Sequence, residues 1–149
     1  MKSFKNKKAY HNYFFTQELE AGIVLKGTEI KSIRTGKVNF KDSYAKIENG
    51  EVWLYNLHIS IYDQASYFNH EPERPRKLLL NRQEIKKLIR KTEEKGMTLI
   101  PTKIYITEQG LAKLSLGLAQ GKRLYDKRDA LQKKDEMRNQ QRQVKYRDY

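Results

Sequence analysis

Apolar residues in this chain alternate with polar or small ones more often than they recur at helical spacing. Leu114, Leu116 and Leu118 alternate with smaller residues, and Leu57, Ile59 and Ile61 alternate with polar ones. Both patterns predict strands, as does the β-branched run over residues 98–107. Residues 43–48 and 51–55 flank Asn49-Gly50, a pair suited to a type I′ hairpin turn because both central positions need positive φ. Tyr13-Phe14-Phe15 starts a further β-like segment that Ile23-Val24-Leu25 continues or follows, and Glu108-Gln109-Gly110 turns the chain. Helical spacing predicts two helices. Residues 27–36 have Thr28 as a cap, Ile30 and Ile33 on one face and Gly36 as a stop. Asn81 with Glu84 forms a capping pair for a helix that carries Ile85, Leu88 and Ile89 and ends near Gly96. Residues 63–77, with Pro72 and Pro75, read as a loop, and Leu78-Leu79-Leu80 reads as core on pattern alone.

About six strands with two or three short helices make an α+β fold, mainly β. Closing the sheet removes exposed edges, so the expected architecture is an OB-like antiparallel β-barrel; an open antiparallel sheet with helices on one face is the alternative.

The alternation stops near Ala119, and the composition changes with it. Residues 120–149 hold ten Lys or Arg against five Asp or Glu, and their large aliphatic residues are Leu124, Leu131, Met137 and Val144. So little apolar surface does not offset the ~1–2 kcal/mol per residue of backbone entropy lost on ordering. The segment lacks Pro and is rich in helix formers. It reads as a basic tail, disordered when free, that becomes helical against a polyanion. Residues 1–8 add four lysines and no acid, so the ends carry more than half of the formal charge of +13. The expected organisation is a basic extension over 1–8, a barrel over 9–119 and a tail over 120–149. Flexible basic ends on a mildly basic body fit RNA, whose condensed counterions are released on binding. A membrane surface would require an apolar face that the tail lacks. Cysteine is absent, which excludes disulfides and thiolate metal sites, and no apolar run reaches transmembrane length. Residues 1–8 are followed by no apolar signal-type run, so a cytoplasmic location is expected, and the long like-charged ends favour a monomer.

Catalysis has no positive signal. His11, His58 and His70 lack the spacing of a zinc pair, although two histidines and a lysine would suffice for acid–base cleavage of RNA. Glu18, Glu20 and Glu29 lack a metal-site pattern, so no cofactor or metal is expected. The stretch from Lys7 to Phe14 is more telling. It places Lys7, Lys8, Tyr10 and His11 together, cations and flat rings suited to phosphates and unpaired bases. Phe14 reads as core. Arg74, Arg76 and Lys77 form a second cationic group on a proline-stiffened loop, read equally as an RNA contact or as a solvated turn.

Several ordered motifs carry a resemblance. They are Asn6-Lys7-Lys8-Ala9-Tyr10-His11-Asn12-Tyr13, Glu20-Ala21-Gly22-Ile23, Gly27-Thr28-Glu29-Ile30-Lys31-Ser32-Ile33-Arg34, Asp42-Ser43-Tyr44, Asn69-His70, Arg76-Lys77-Leu78-Leu79-Leu80, Gly121-Lys122-Arg123 and Tyr125-Asp126-Lys127-Arg128. In this the chain closely resembles the small protein B (SsrA-binding) family of bacterial trans-translation. The resemblance implies a non-enzymatic protein with an OB-like barrel and three helices. Such a protein binds the tRNA-like domain of transfer-messenger RNA and delivers it, with elongation factor Tu on the aminoacylated RNA, to stalled ribosomes. It further implies RNA contacts at Asn6, Glu20, Leu79 and Lys113, and a place for His11 near the small-subunit decoding centre. The tail would lie as a helix in the vacant mRNA channel, with ribosome contacts at Gly121, Lys122, Tyr125, Asp126, Lys127 and Arg128. A structural ribosomal protein is the main rival. An RNA-cleaving enzyme follows, and a double-stranded DNA binder is weaker, since no helix-turn-helix or basic zipper appears.

Overall fold

The strand with three alternating leucines closes the sheet. The computed structural model describes residues 2–63 and 68–121, and of Glu94 and Lys95 only the backbone. Strand β9 (Ala112–Gly121) turns Leu114, Leu116 and Leu118 inward and pairs antiparallel with two long neighbours, β2 (Tyr13–Ile23) and β8 (Thr98–Ile106). From β8 the order continues through β4 (Tyr44–Glu48), β5 (Glu51–Tyr55) and β7 (Arg76–Leu79), then returns to β2. Among the described residues these six strands form a closed ring with the core inside. The result is an OB-like antiparallel barrel, as the alternation predicts. Helices α2 (Gly27–Arg34) and α3 (Arg82–Lys95) add Ile33 and Leu88 to the core. Each fully buried Ile or Leu contributes roughly 1.5–3 kcal/mol.

Turn chemistry falls where the residue types place it. Asn49 and Gly50 take φ of 51° and 76°, which aligns β4 with β5, and Gly96 ends α3 at a φ of 62°. Asn81 Oδ1 accepts from the Glu84 amide at 2.8 Å while Glu84 Oε1 accepts from the Asn81 amide at 3.1 Å.

Other elements differ from the pattern reading. The first residues are built into the barrel: β1 (Lys2–Lys5) pairs with residues 103–106 of β8, on the edge that Leu99 uses nearer the strand start to pair with Ala45. Helix α1 (Lys7–Asn12) follows directly. The boundary expected after residue 8 therefore falls inside a helix. Leu57 and Ile59 are fully buried, but Ile61 is half exposed, and the strand there is two residues, β6 (His58–Ile59), paired with β3 (Val38–Asn39). Thr28 lies inside α2 after Lys26, and its hydroxyl meets His70 Nδ1 at 2.8 Å. The loop expected through Lys77 ends sooner, because Arg76 and Lys77 begin β7.

A buried polar cluster joins α2 to β7. Glu29 is fully buried, with Oε1 2.6 Å from Arg74 Nη2 and Oε2 2.6 Å from Arg76 Nε. The Lys26 amide donates to Oε1 at 2.7 Å. Arg76, also fully buried, donates to the carbonyls of Leu57 at 2.5 Å and Pro72 at 2.9 Å. Burial pushes the Glu29 carboxyl up, yet Arg74, the Lys26 amide and Arg76 together hold it below the ordinary carboxylate range. A carboxyl whose folded-state pKa is depressed contributes stability at neutral pH that is lost as pH falls through that value. The melting temperature of the wild-type protein is therefore expected to drop once pH falls below about 4.3, the ordinary Glu value. Glu29→Gln, which leaves the buried Arg76 and the partly exposed Arg74 without their anion, should lower stability at pH 7 by about 3–5 kcal/mol and flatten this acid limb. Thermal melts of both proteins across pH check the two effects.

Candidate nucleic-acid interface

Barrel register aligns a row of outward residues across five strands. Leu79 on β7 pairs with Gly22 on β2, Gly22 with Lys113 on β9, Lys113 with Tyr105 on β8, and Tyr105 with Ser3 on β1. Two positions along, the same faces carry Glu20, Ser115, Lys103 and Lys5 as the next row. Gly22 makes the first row a shallow trough, since a Cβ there would lie 3.3 Å from Leu79 Cβ. Leu79 beside it is 53% exposed, an apolar side chain on the outer face and not in the core that its pattern suggests. Its neighbour Leu78 is buried, so the triple leucine is itself an alternation.

One ion pair stands on this face. Lys113 Nζ lies 2.9 Å from Glu20 Oε1. Lys113, and then a hydrogen bond from the Tyr105 hydroxyl, hold the Glu20 carboxyl below its usual range. Lys103 Nζ stands 5.2 Å from the centre of the Tyr105 ring. Glu20 thus presents a fixed, ionised acceptor between a cation and a flat ring, the chemistry that reads base amino groups, phosphates and base faces. Tyr105, Lys103 and Gly22 were missed by sequence reasoning. Alternation within 98–107 turns Tyr105 and Lys103 outward, but only the β8–β9 register brings them beside Glu20.

A second exposed patch lies at the other end of β2. Asn6, 5% exposed, caps α1: its Oδ1 accepts from the Ala9 amide at 3.2 Å and its Nδ2 donates to the Pro101 carbonyl at 2.8 Å. Ala9 then packs on Ile100 and Ala119, with Tyr13 and Phe15 around them. The Phe15 ring lies directly over Gly117, where no Cβ fits. This small cluster fixes α1 on the outside of the barrel and leaves Lys7, Tyr10 and His11 exposed. The Tyr10 hydroxyl donates to Glu18 Oε1 at 2.6 Å, and its ring sits 5.2 Å from that of Phe15. Gly121 pairs with Tyr13, so β9 ends beside this patch.

The expected RNA residues therefore sort into groups. Glu20, Leu79 and Lys113 come together on the trough, while Lys7, Tyr10, His11 and Gly121 gather toward the other end of β2, with the Tyr10 side chain reaching back along it to Glu18. Asn6 has its side chain committed to the α1 cap. Lys77 is on the surface but lies 2.5 Å from Glu51. Arg76 is a correction: fully buried on Glu29, it is a structural cation with no access to a ligand. His70 is 3% exposed, and its Nε2 donates to the Ile59 carbonyl at 2.8 Å while Nδ1 faces Thr28. Phe14, expected in the core, is 43% exposed. Lys122, Tyr125, Asp126, Lys127 and Arg128 lie outside the described residues.

Fold and faces together define a small OB-like barrel of the kind that presents its strands to nucleic acid. Residues 3–146 match the family model described as SmpB protein. The SsrA-binding protein of Desulfitobacterium hafniense is 61% identical over 137 residues, which span 92% of this chain and 87% of that protein. The SsrA-binding protein of Carboxydothermus hydrogenoformans is 58% identical over 134 residues, 90% of this chain and 89% of the relative. A solved chain described as "tmRNA-SmpB: a journey to the center of the bacterial ribosome" superposes with a TM-score of 0.69 at 51% identity, covering 80% of this chain and 83% of its own. The chain belongs to the SmpB family.

Burial separates two lysine and arginine roles that look alike in sequence. Lys113→Ala, on an exposed ion pair, should leave the melting temperature at the wild-type value. Arg76→Met should cost about 3–5 kcal/mol, because it strands part of the Glu29 charge and two carbonyls. Parallel denaturant unfolding of the two variants tests the assignment.

Proposed function

We propose that this protein binds the tRNA-like domain of transfer-messenger RNA through the trough formed by Glu20, Gly22, Leu79 and Lys113, and carries that RNA to stalled ribosomes. There α1 and the tail meet the small-subunit decoding centre and the empty mRNA channel. The protein acts by binding alone, as a monomer in the cytoplasm, while the aminoacylated RNA engages elongation factor Tu. The names of the relatives support the RNA and the ribosome as partners.

The observation that carries this reading is the placement of two exposed faces at opposite ends of β2, with the tail starting at only one of them. A protein that bridges an RNA and a ribosome needs two separated surfaces. Here Glu20 would accept from base amino groups, Lys113 would meet phosphate, and Leu79 would pack on an exposed base or shape the surface. His11 and Tyr10 would stack on ribosomal RNA next to the root of the tail. Asn6 would act by holding α1 in position. The tail would be disordered in free protein and order as a helix along channel phosphates, through Lys122, Tyr125, Asp126, Lys127 and Arg128 near its root. Ordering of that kind consumes several kcal/mol, so its affinity is modest and an occupied channel excludes it.

The two surfaces should be separable. A chain ending at Gly121 keeps β9 whole, whereas one ending at Ala119 also removes the partners of Phe14 and Tyr13. The shorter chain ending at Gly121 is expected to bind transfer-messenger RNA as the full protein does, yet fail to support peptide tagging on stalled ribosomes. Glu20→Ala should do the reverse at the first step and weaken binding to the isolated RNA. Equal loss of RNA binding in both would refute the division of labour. A structural ribosomal protein would instead sediment with all ribosomes at high salt.

A further inference from the structure

We infer that the solvent face of α3 is a phosphate track, along which the RNA held at the trough continues toward the root of the tail. The proposal rests on the barrel-face reading above and extends it to residues that neither sequence pattern nor family resemblance singled out.

Charge accounting points to this helix. Five lysines of the body, Lys8, Lys37, Lys41, Lys77 and Lys113, sit in ion pairs with carboxylates. On α3, Arg82, Lys86, Lys87 and Arg90 are all exposed and make no ion pair among the described residues. At 3.6 residues per turn these four cations fall within an arc of about 140°. That arc faces away from Ile85 and Leu88, which pack on the core. Of the described acids on the helix, Glu84 is engaged in the cap, and Glu93, exposed on the same arc one turn beyond Arg90, bounds the cationic row.

Position supplies the direction. Arg82 follows Leu79 by three residues, so the helix starts at the trough. Its far end leads into Thr98, which pairs with Ala119, two residues before Gly121. Between those ends Lys91 Nζ donates to Gln17 Oε1 at 2.9 Å, midway along β2 between the two exposed faces. Arg82 to Arg90 make a cationic row about 12 Å long on a helix of about 21 Å. Contacts from such a row neutralise phosphates without reading sequence, and each adds to the salt dependence of binding.

The test uses the full chain carrying Arg82→Gln, Lys86→Gln and Arg90→Gln together, titrated across a salt series against the tRNA-like fragment of transfer-messenger RNA. The log–log slope of affinity against salt is expected to fall by about two to three units, with affinity at low salt lowered roughly tenfold or more. Thermal melting should be unchanged, since all three side chains are exposed, and each single variant should lower the slope by about one unit. An unchanged slope overturns the proposal. So does a triple variant that binds this RNA normally but loses ribosome co-sedimentation, which would make ribosomal RNA the partner of α3. Lys113→Ala and Glu20→Ala run in parallel keep the two readings apart. If they weaken RNA binding and the triple variant does not, the α3 track alone fails. If none of the variants does, the trough reading fails with it.

Discussion

The register of β2 against β9 decides where every functional group of this protein lies. The pairing runs from Tyr13 with Gly121 to Gly22 with Lys113, and it closes the ring of strands. The same ladder sets Lys113 beside Gly22 at one end and the root of the tail beside α1 at the other. A shift of one residue would turn Leu114, Leu116 and Leu118 outward and Lys113 inward, so burial of the leucines fixes the surface chemistry. The bulge between Phe15 and Gln17 belongs to this constraint. It lets Phe15 cover Gly117 and complete the seat for α1, while Leu19 and Ala21 still reach the core.

Cations in this chain do two different jobs, and burial assigns them. Arg76 and Arg74 close around Glu29 and tie α2 to the strand that carries Leu79. That cluster positions the trough without touching a ligand. A buried carboxylate with two guanidiniums is strongly destabilising to break, although an apolar replacement of all three need not be. Its retention suits a role in specifying one arrangement of α2, β6 and β7, since Arg76 also binds the Leu57 and Pro72 carbonyls. His70, bridging Thr28 and the Ile59 carbonyl, adds a second polar tie between the same elements.

Much of this architecture was legible in the sequence because it follows local rules. Asn49-Gly50, the Asn81–Glu84 pair and the alternating leucines of β9 each dictate a backbone shape that tertiary packing had no reason to override. What escaped depends on partners far along the chain. Residues 2–5 have no strand pattern of their own and become β1 only because residues 103–106 of β8 offer a free edge. Arg76 reads as a loop cation, an RNA contact or a solvated turn alike, until its bond to Glu29, far along the chain, shows it buried. Leu79 reads as core until the pleat turns it out. In the candidate site, Glu20, Leu79 and Lys113 entered through family resemblance, whereas Tyr105 and Lys103 required the register. Tyr10 and His11 were legible as an exposed aromatic and basic pair, but the nearness of Gly121 to them was not.

Pairing of surface charge then separates specificity from attraction. On the trough, Lys113 and Glu20 already neutralise each other, which leaves Lys103 and Lys5 of the next row as its cations without an ion pair among the described residues. What it also offers is geometry: an acceptor whose carboxyl Lys113 and Tyr105 hold below its usual range, an apolar Leu79 and a gap at Gly22, set side by side by the strand register. Long-range attraction falls more to the α3 cations, which make no ion pair among the described residues, and to the net formal charge of +5 over 120–149, ten Lys or Arg less five Asp or Glu. On the function proposed, this division would let a protein of high positive charge select one RNA. Were the trough itself strongly cationic, any duplex would satisfy it, and counterion release alone would decide binding. With Lys113 paired on the sheet and Arg82, Lys86, Lys87 and Arg90 left without ion pairs on α3, diffusion would be guided by charge and the final fit judged by shape.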